Sequence, residues 1–100
     1  ILCGSKGDKF ITQKIKDKVN LPLIDAVGKT SLMELGALLS QVNLLISGDT
    51  GTLHIADALN IKTIGIFGPT NHLQYGPLSI LHKPIQGSAI CATKNKKRCK

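Results

Sequence analysis

The chain has 100 residues, 42% of them apolar, and a formal net charge of +7. That length gives one small domain with room for a single core, and no apolar run is long enough to span a bilayer. Three cysteines, at positions 3, 91 and 99 without paired C-x-x-C spacing, argue against a disulfide scaffold or zinc site and for a reducing, cytoplasmic setting.

The chain opens directly on an apolar Ile1-Leu2-Cys3, without an initiator Met or signal sequence, and so reads as a segment of a larger protein. Ile1 to Cys3 has the look of a strand, Gly4-Ser5-Lys6-Gly7 of a turn, and Asp8 of a helix N-cap. Phe10, Ile11, Ile15 and Val19 share one helical stripe, with Lys9, Lys14, Lys16 and Lys18 largely on other faces. Those lysines are most simply a wet helix surface. Lys6 could reach a phosphate, although one loop lysine carries little weight.

Leu21 to Val27 predicts a second strand, followed by the loop Gly28-Lys29-Thr30. Ser31-Leu32-Met33-Glu34 has capping-box spacing, with Ser31 on the amide of Glu34 and Glu34 reaching back. Leu32, Leu35, Leu38 and Leu39 then form the apolar face of a helix that Gln41-Val42-Asn43 ends.

The central stretch, Leu44 to Thr70, reads as strand, tight loop, helix, strand and loop. Leu44-Leu45-Ile46 and Thr63-Ile64-Gly65-Ile66-Phe67 have the short, continuous apolar character of buried parallel strands. Between them Ser47-Gly48-Asp49-Thr50-Gly51 turns the chain, and a helix from Thr52 to Leu59, ended by Asn60, forms the crossover. A right-handed crossover brings both following loops to one sheet edge, at the carboxyl ends of the strands, where open α/β sheets bind ligands.

The chemistry of that edge suits a phosphorylated ligand carrying hydroxyls. A helix N-terminus offers free amides and a positive dipole end, and Gly51 lets a phosphate come close to the backbone. Thr50 and Thr52 add hydroxyls, His54 an imidazole, and Asp49 an acceptor for sugar hydroxyls. Asp49 or Thr50 could equally be a simple helix cap. The neighbouring loop Gly68-Pro69-Thr70-Asn71 is what favours a binding site.

Beyond Thr70, residues 71–77 suggest a loop or a single helical turn, and Ser79 to His82 a further short strand. His72 and His82 are read as surface residues. With one Tyr, two Phe and no Trp, an aromatic platform for single-stranded nucleic acid is disfavoured. Residues 94–100 hold five of the thirteen basic residues; the remaining eight basic and six acidic residues leave only +2. This basic tail, residues 89–100, could contact anionic lipid headgroups or simply be solvated. The domain proper is expected to be residues 1–88. The alternation β-α-β-α-β-α-β with short loops predicts an α/β fold with a parallel sheet and flanking helices.

Asp49-Thr50-Gly51-Thr52-Leu53-His54-Ile55-Ala56, then Ala58-Leu59, Phe67-Gly68-Pro69-Thr70 and Gly76-Pro77, resembles the signature of glycosyltransferase family 9, the lipopolysaccharide heptosyltransferases. The segment from Ala26 to Leu35 is similar to that family's stretch before the signature. The resemblance implies the Rossmann-like C-terminal half of a GT-B enzyme, partial here, since the family's C-terminal domain begins about one strand and helix earlier. It implies transfer of heptose from ADP-heptose to the lipopolysaccharide inner core, with no cofactor and no metal, in the cytoplasm or at the inner-membrane face.

It further implies that Asp49 orients sugar hydroxyls, that Thr50, Gly51, Thr52 and His54 hold the diphosphate, and that Glu34 contacts the ribose. Lys29, Thr30, Gly68, Pro69 and Thr70 would complete the donor site. The acceptor site and the catalytic carboxylate belong to the family's N-terminal domain, so no catalytic residue is expected in this chain and the chain alone should not turn over. Asp57, three residues after His54, could pair with His54 and favour its charged form. Two other readings are a non-catalytic nucleotide-binding module and a basic-tailed nucleic-acid or membrane adaptor.

Overall fold

The computed structural model describes residues 1–88, which divide into two compact units, Ile1–Leu35 and the residues from Gly36 onward. The basic tail, with Cys91 and Cys99, lies outside the described residues.

In the first unit a 3-10 turn, Lys6–Asp8, leads into helix α1, Lys9–Lys18. The Asp8 carboxylate accepts from the Ser5 amide at 2.8 Å and the Ser5 hydroxyl at 2.7 Å, which fixes the entry to the helix. The two expected strands reduce to one parallel bridge, Leu2 to Asp25. Leu2 N–H donates to Ile24 O, Ala26 N–H to Leu2 O, and Gly28 N–H to Gly4 O, each at 2.8 Å. Within this pairing the Asp25 carboxylate turns to accept the Val27 amide at 3.0 Å. Gly28 follows with φ of +68°, a conformation that suits glycine, and a Cβ there would also strike Lys6 at 2.9 Å.

The apolar stripe of α1 is not buried as its periodicity suggests. Phe10 is 69% exposed and Ile11 58%, whereas Thr12 is the buried residue, its hydroxyl donating to Asp8 O at 3.0 Å. Lys14 Nζ lies 4.4 Å from the Phe10 ring centre, so the lysine stem and ammonium cover part of that aromatic surface.

Helix α2 spans Leu32–Leu39. Of its expected apolar face only Leu39 is fully buried, Leu35 and Leu38 are half-buried, and Leu32 is exposed.

The second unit is a sheet of three parallel strands in the order β1-β2-β3: β1 Leu45–Gly48, β2 Thr63–Phe67 and β3 His82–Gln86. Helix α3, Gly51–Ala58, crosses from β1 to β2, and the single turn α4, His72–Tyr75, lies between β2 and β3. Leu53 and Ala56 of α3 have no exposed surface. Burying a leucine this completely contributes about 1.5–3 kcal/mol.

Helix α3 ends in a Schellman motif. Asn60 takes φ of +57°, its N–H reaches Asp57 O at 2.9 Å, and Ile61 N–H reaches Ala56 O at 2.9 Å. The motif reverses the chain into β2.

Thr63, Gly65 and Phe67 form the covered face of β2, against α3. Gly65 is obligatory by packing, since a Cβ there would come within 2.6 Å of His82, 2.8 Å of Phe67 and 3.0 Å of Leu53. The sheet is buried on one face rather than two, because α3 covers only that face. Ile46, Ile66 and Ile85, on the alternate positions, are each more than half exposed.

β3 begins where the sequence suggests a strand ends. Ser79 makes a turn instead, its hydroxyl accepting Leu81 N–H and its carbonyl accepting His82 N–H, both at 3.1 Å. His82 is therefore not a surface residue. Its Nδ1 lies 2.8 Å from the Thr63 hydroxyl, and its ring meets Phe67 edge to face at 6.1 Å.

Candidate functional site

Because the three strands are parallel and adjacent, their carboxyl ends, Gly48, Phe67 and Gln86, lie at one edge of the sheet. The β1–α3 loop carries Asp49 and Thr50, and the β2–α4 loop carries Gly68, Pro69, Thr70 and Asn71. Both leave from that edge.

At the first loop Thr50 occupies the N-cap position of α3 with extended backbone, φ −140° and ψ 165°, yet its side chain caps nothing. Its hydroxyl instead shares a 3.1 Å hydrogen bond with Ser47. Asp49 does not cap either. Its Oδ1 lies 3.9 Å from His54 Nε2, with the aspartate side chain 22% exposed and the histidine 48%. The first-turn amides of α3 thus keep their dipole end uncapped by a side chain. A Cβ at Gly51 would meet nothing within 4 Å, so packing does not demand glycine there. Thr52 is half-buried in the first turn.

The expected pairing of Asp57 with His54 does not form. Asp49 takes the histidine, because i to i+5 across the loop and first turn brings Oδ1 and Nε2 together. Asp57 Oδ1 is buried without a hydrogen bond, and its charge acts on His82, which burial otherwise pushes below the ordinary histidine range.

At the second loop Gly68 is open, with nothing within 4 Å of an added Cβ. Pro69 and Thr70 are half-buried. Asn71 caps α4 by accepting Leu73 N–H at 3.0 Å. Gln86, at the end of β3, binds both ends of this loop. Its Nε2 donates to Phe67 O at 3.3 Å and Gly68 O at 3.0 Å, and its Oε1 accepts His72 N–H at 3.1 Å.

The remaining candidates, Lys29, Thr30 and Glu34, belong to the first unit. Lys29 Nζ donates to Asp25 O at 2.7 Å, and Thr30 is half-buried. Glu34 forms the capping box in full: its Oε2 accepts Ser31 N–H at 2.7 Å, and its own N–H donates to Ser31 Oγ at 3.2 Å. The Ser31 amide, then its hydroxyl, hold the Glu34 carboxyl below its ordinary range. Among the described residues no group of three or more His, Cys, Asp or Glu is placed to hold a metal ion.

Fold and loop cluster together define an open parallel α/β unit with its polar, glycine-bearing loops at the carboxyl edge. The chain belongs to glycosyltransferase family 9 (heptosyltransferase), whose family model matches residues 1–100. It is 35% identical over 87 residues to the lipopolysaccharide core heptosyltransferase OpsX of Haemophilus influenzae, covering 85% of this chain and 25% of that protein. It is 36% identical over 75 residues to lipopolysaccharide heptosyltransferase 3 of Escherichia coli, covering 74% and 22%. The crystal structure of a family 9 glycosyl transferase from Veillonella parvula superposes with a TM-score of 0.78 at 28% identity, over 83% of this chain and 24% of that one. The chain therefore spans about a quarter of the length of these relatives.

Proposed function

We propose that this chain forms the donor-binding part of a heptosyltransferase that moves heptose from ADP-heptose to the lipopolysaccharide inner core. The observation that carries the reading is the carboxyl edge of the sheet, where Asp49, Thr50 and His54 converge near a helix start that its N-cap side chain, Thr50, does not cap. An aspartate and a threonine in these positions would ordinarily satisfy the helix amides. Here their oxygens and those amides remain directed to other uses.

In the reaction, the bond between the heptose anomeric carbon and the diphosphate breaks as a glycosidic bond to an acceptor hydroxyl forms. ADP leaves with the electron pair, and the hydroxyl proton passes to a base outside this chain. The α3 amides of Gly51 and Thr52, with the His54 imidazole, stabilise the negative charge that develops on the diphosphate. The Thr50 hydroxyl turns from Ser47 to a phosphate oxygen, and Asp49 accepts hydrogen bonds from sugar hydroxyls. Gly68, Pro69 and Thr70 form the second wall of the site. Lys29, Thr30 and Glu34 enter as nucleotide contacts on the resemblance alone, Glu34 exchanging its capping bond for a ribose hydroxyl.

Among the described residues no helix is long and apolar enough to cross a membrane. The proposed setting is the cytoplasm or the cytoplasmic face of the inner membrane, where a lipid-linked acceptor is presented. Titration of the full-length protein with ADP, followed by amide chemical shifts, tests the reading. Shifts at Gly48–His54 and Gly68–Asn71 are expected, and shifts confined to α1 would refute it.

A further inference from the structure

The β2–α4 loop is held at both ends by a side chain that none of the motifs contains. Gln86 closes β3 directly opposite Phe67 of β2. Through Nε2 it donates to the carbonyls of Phe67 and Gly68, where the loop begins. Through Oε1 it accepts the His72 amide, where α4 begins, and lies 3.1 Å from His72 Nδ1. The Gly87 amide adds a bond to Phe67 O at 2.8 Å, and the Phe67 and His72 rings sit 6.1 Å apart across the loop.

A primary carboxamide suits this set of partners, because one side-chain tip donates to two carbonyl oxygens and accepts an amide N–H. A carboxylate would set oxygen against oxygen at the loop start. A shorter amide would not span both ends.

We infer that Gln86 is a positioning residue for the transfer reaction, fixing the Gly68–Asn71 loop before the donor arrives. This rests on the reading of Gly68–Thr70 as donor contacts. Gly68 is exposed, and a Cβ there would meet nothing within 4 Å, so the Gln86 bonds to the Phe67 and Gly68 carbonyls are what tie down this end of the loop. With the clamp in place the loop is ordered during folding rather than during binding.

The test uses the full-length protein with Gln86→Met, which keeps side-chain length and removes the hydrogen bonds. Loss of the clamp should speed hydrogen exchange at the His72 amide. It should also raise the ADP dissociation constant and the donor KM about tenfold, the factor for re-ordering roughly one backbone residue, with kcat changed much less. Gln86→Glu keeps an acceptor for His72 N–H but opposes the two carbonyls, and the same shift in ADP affinity is expected if the methionine variant fails to fold. Unchanged ADP affinity in a folded variant with a fast-exchanging His72 amide would overturn the inference and leave the donor reading intact. An unchanged His72 amide would show that the clamp does not exist in solution. A wild-type protein that binds no ADP would remove the donor reading, and the inference with it.

Discussion

Replacing Asp49 by Asn separates a structural role from a ligand role more sharply than any other single change. The carboxylate makes no capping bond, and its partner is His54 at 3.9 Å, half exposed. A pair at that distance and exposure contributes less than about 1 kcal/mol. Asn is also as good a residue as Asp beside a helix start. The melting temperature of the full-length protein should therefore fall by no more than about 4 °C. Transfer responds differently if Asp49 accepts hydrogen bonds from sugar hydroxyls. A bond to a charged acceptor is worth roughly 1.5–3 kcal/mol, so the rate should fall by about one to two orders of magnitude. His54→Ala should behave in the same way, since the imidazole is 48% exposed and its removal opens no cavity. The assay is a thermal melt and a steady-state transfer measurement on each purified variant, run in parallel. Wild-type rates with a lowered melting temperature would refute the argument and return Asp49 to a purely structural role.

Gly65→Ala should lower stability by about 1–3 kcal/mol in a thermal or urea melt, because the new methyl meets His82, Phe67 and Leu53 within 3.0 Å. Ser31→Ala removes the hydroxyl that accepts the Glu34 amide and should cost about 1 kcal/mol by the same measurement. Glu34, held acidic by Ser31, contributes stability that is present above its unfolded value of 4.5 and lost as pH falls through its lower folded value. A Glu34→Gln variant should show a flatter acid limb in its melting profile. His82 acts in the same direction at higher pH: burial depresses its pKa below 6.5, so the unfolded chain binds more protons in that window and stability should rise with pH up to about 6.5. Melts of His82→Gln between pH 5 and 7, in roughly the range where imidazole titrates, should lose that slope.

Much of this architecture was legible in the residues because the relevant signals are local. Thr63–Phe67 is the strand the apolar run predicts, and α3 begins one residue before the predicted start. The Ser31–Glu34 capping box forms as its spacing requires. Periodicity failed where burial depends on what lies opposite. The Phe10–Ile11–Ile15 stripe has a helical period, but a period states only which residues share a face. β3 was misplaced because Ser79 supplies a turn and because His82, Lys83, Pro84 and Gln86 do not look like a strand. Pro84 is tolerated there with its ring at a half-buried position. Within the site, the loops and their shared edge follow from the β-α-β order. That Asp49 faces His54 rather than the helix amides does not, since either choice suits the same sequence. Gln86 was invisible for a different reason: a clamp made of one side chain and backbone groups leaves no pattern of residue types.

The strand order bears on how the chain acquires this edge. Leu45 pairs with Thr63 and Thr63 with His82, so each strand meets its immediate successor across fewer than about twenty residues. Closing such segments is fast, and nothing in the order requires a distant strand to be inserted between neighbours already joined. The sheet can therefore be laid down in the direction of synthesis, one hydrogen-bonded strand at a time. The Asp49–Thr50 loop is framed once β2 docks. The Gly68–Asn71 loop acquires its hold only when Gln86 emerges and joins the far edge. Released chains truncated shortly before residue 86 should thus carry the first loop in its final shape and the second still open.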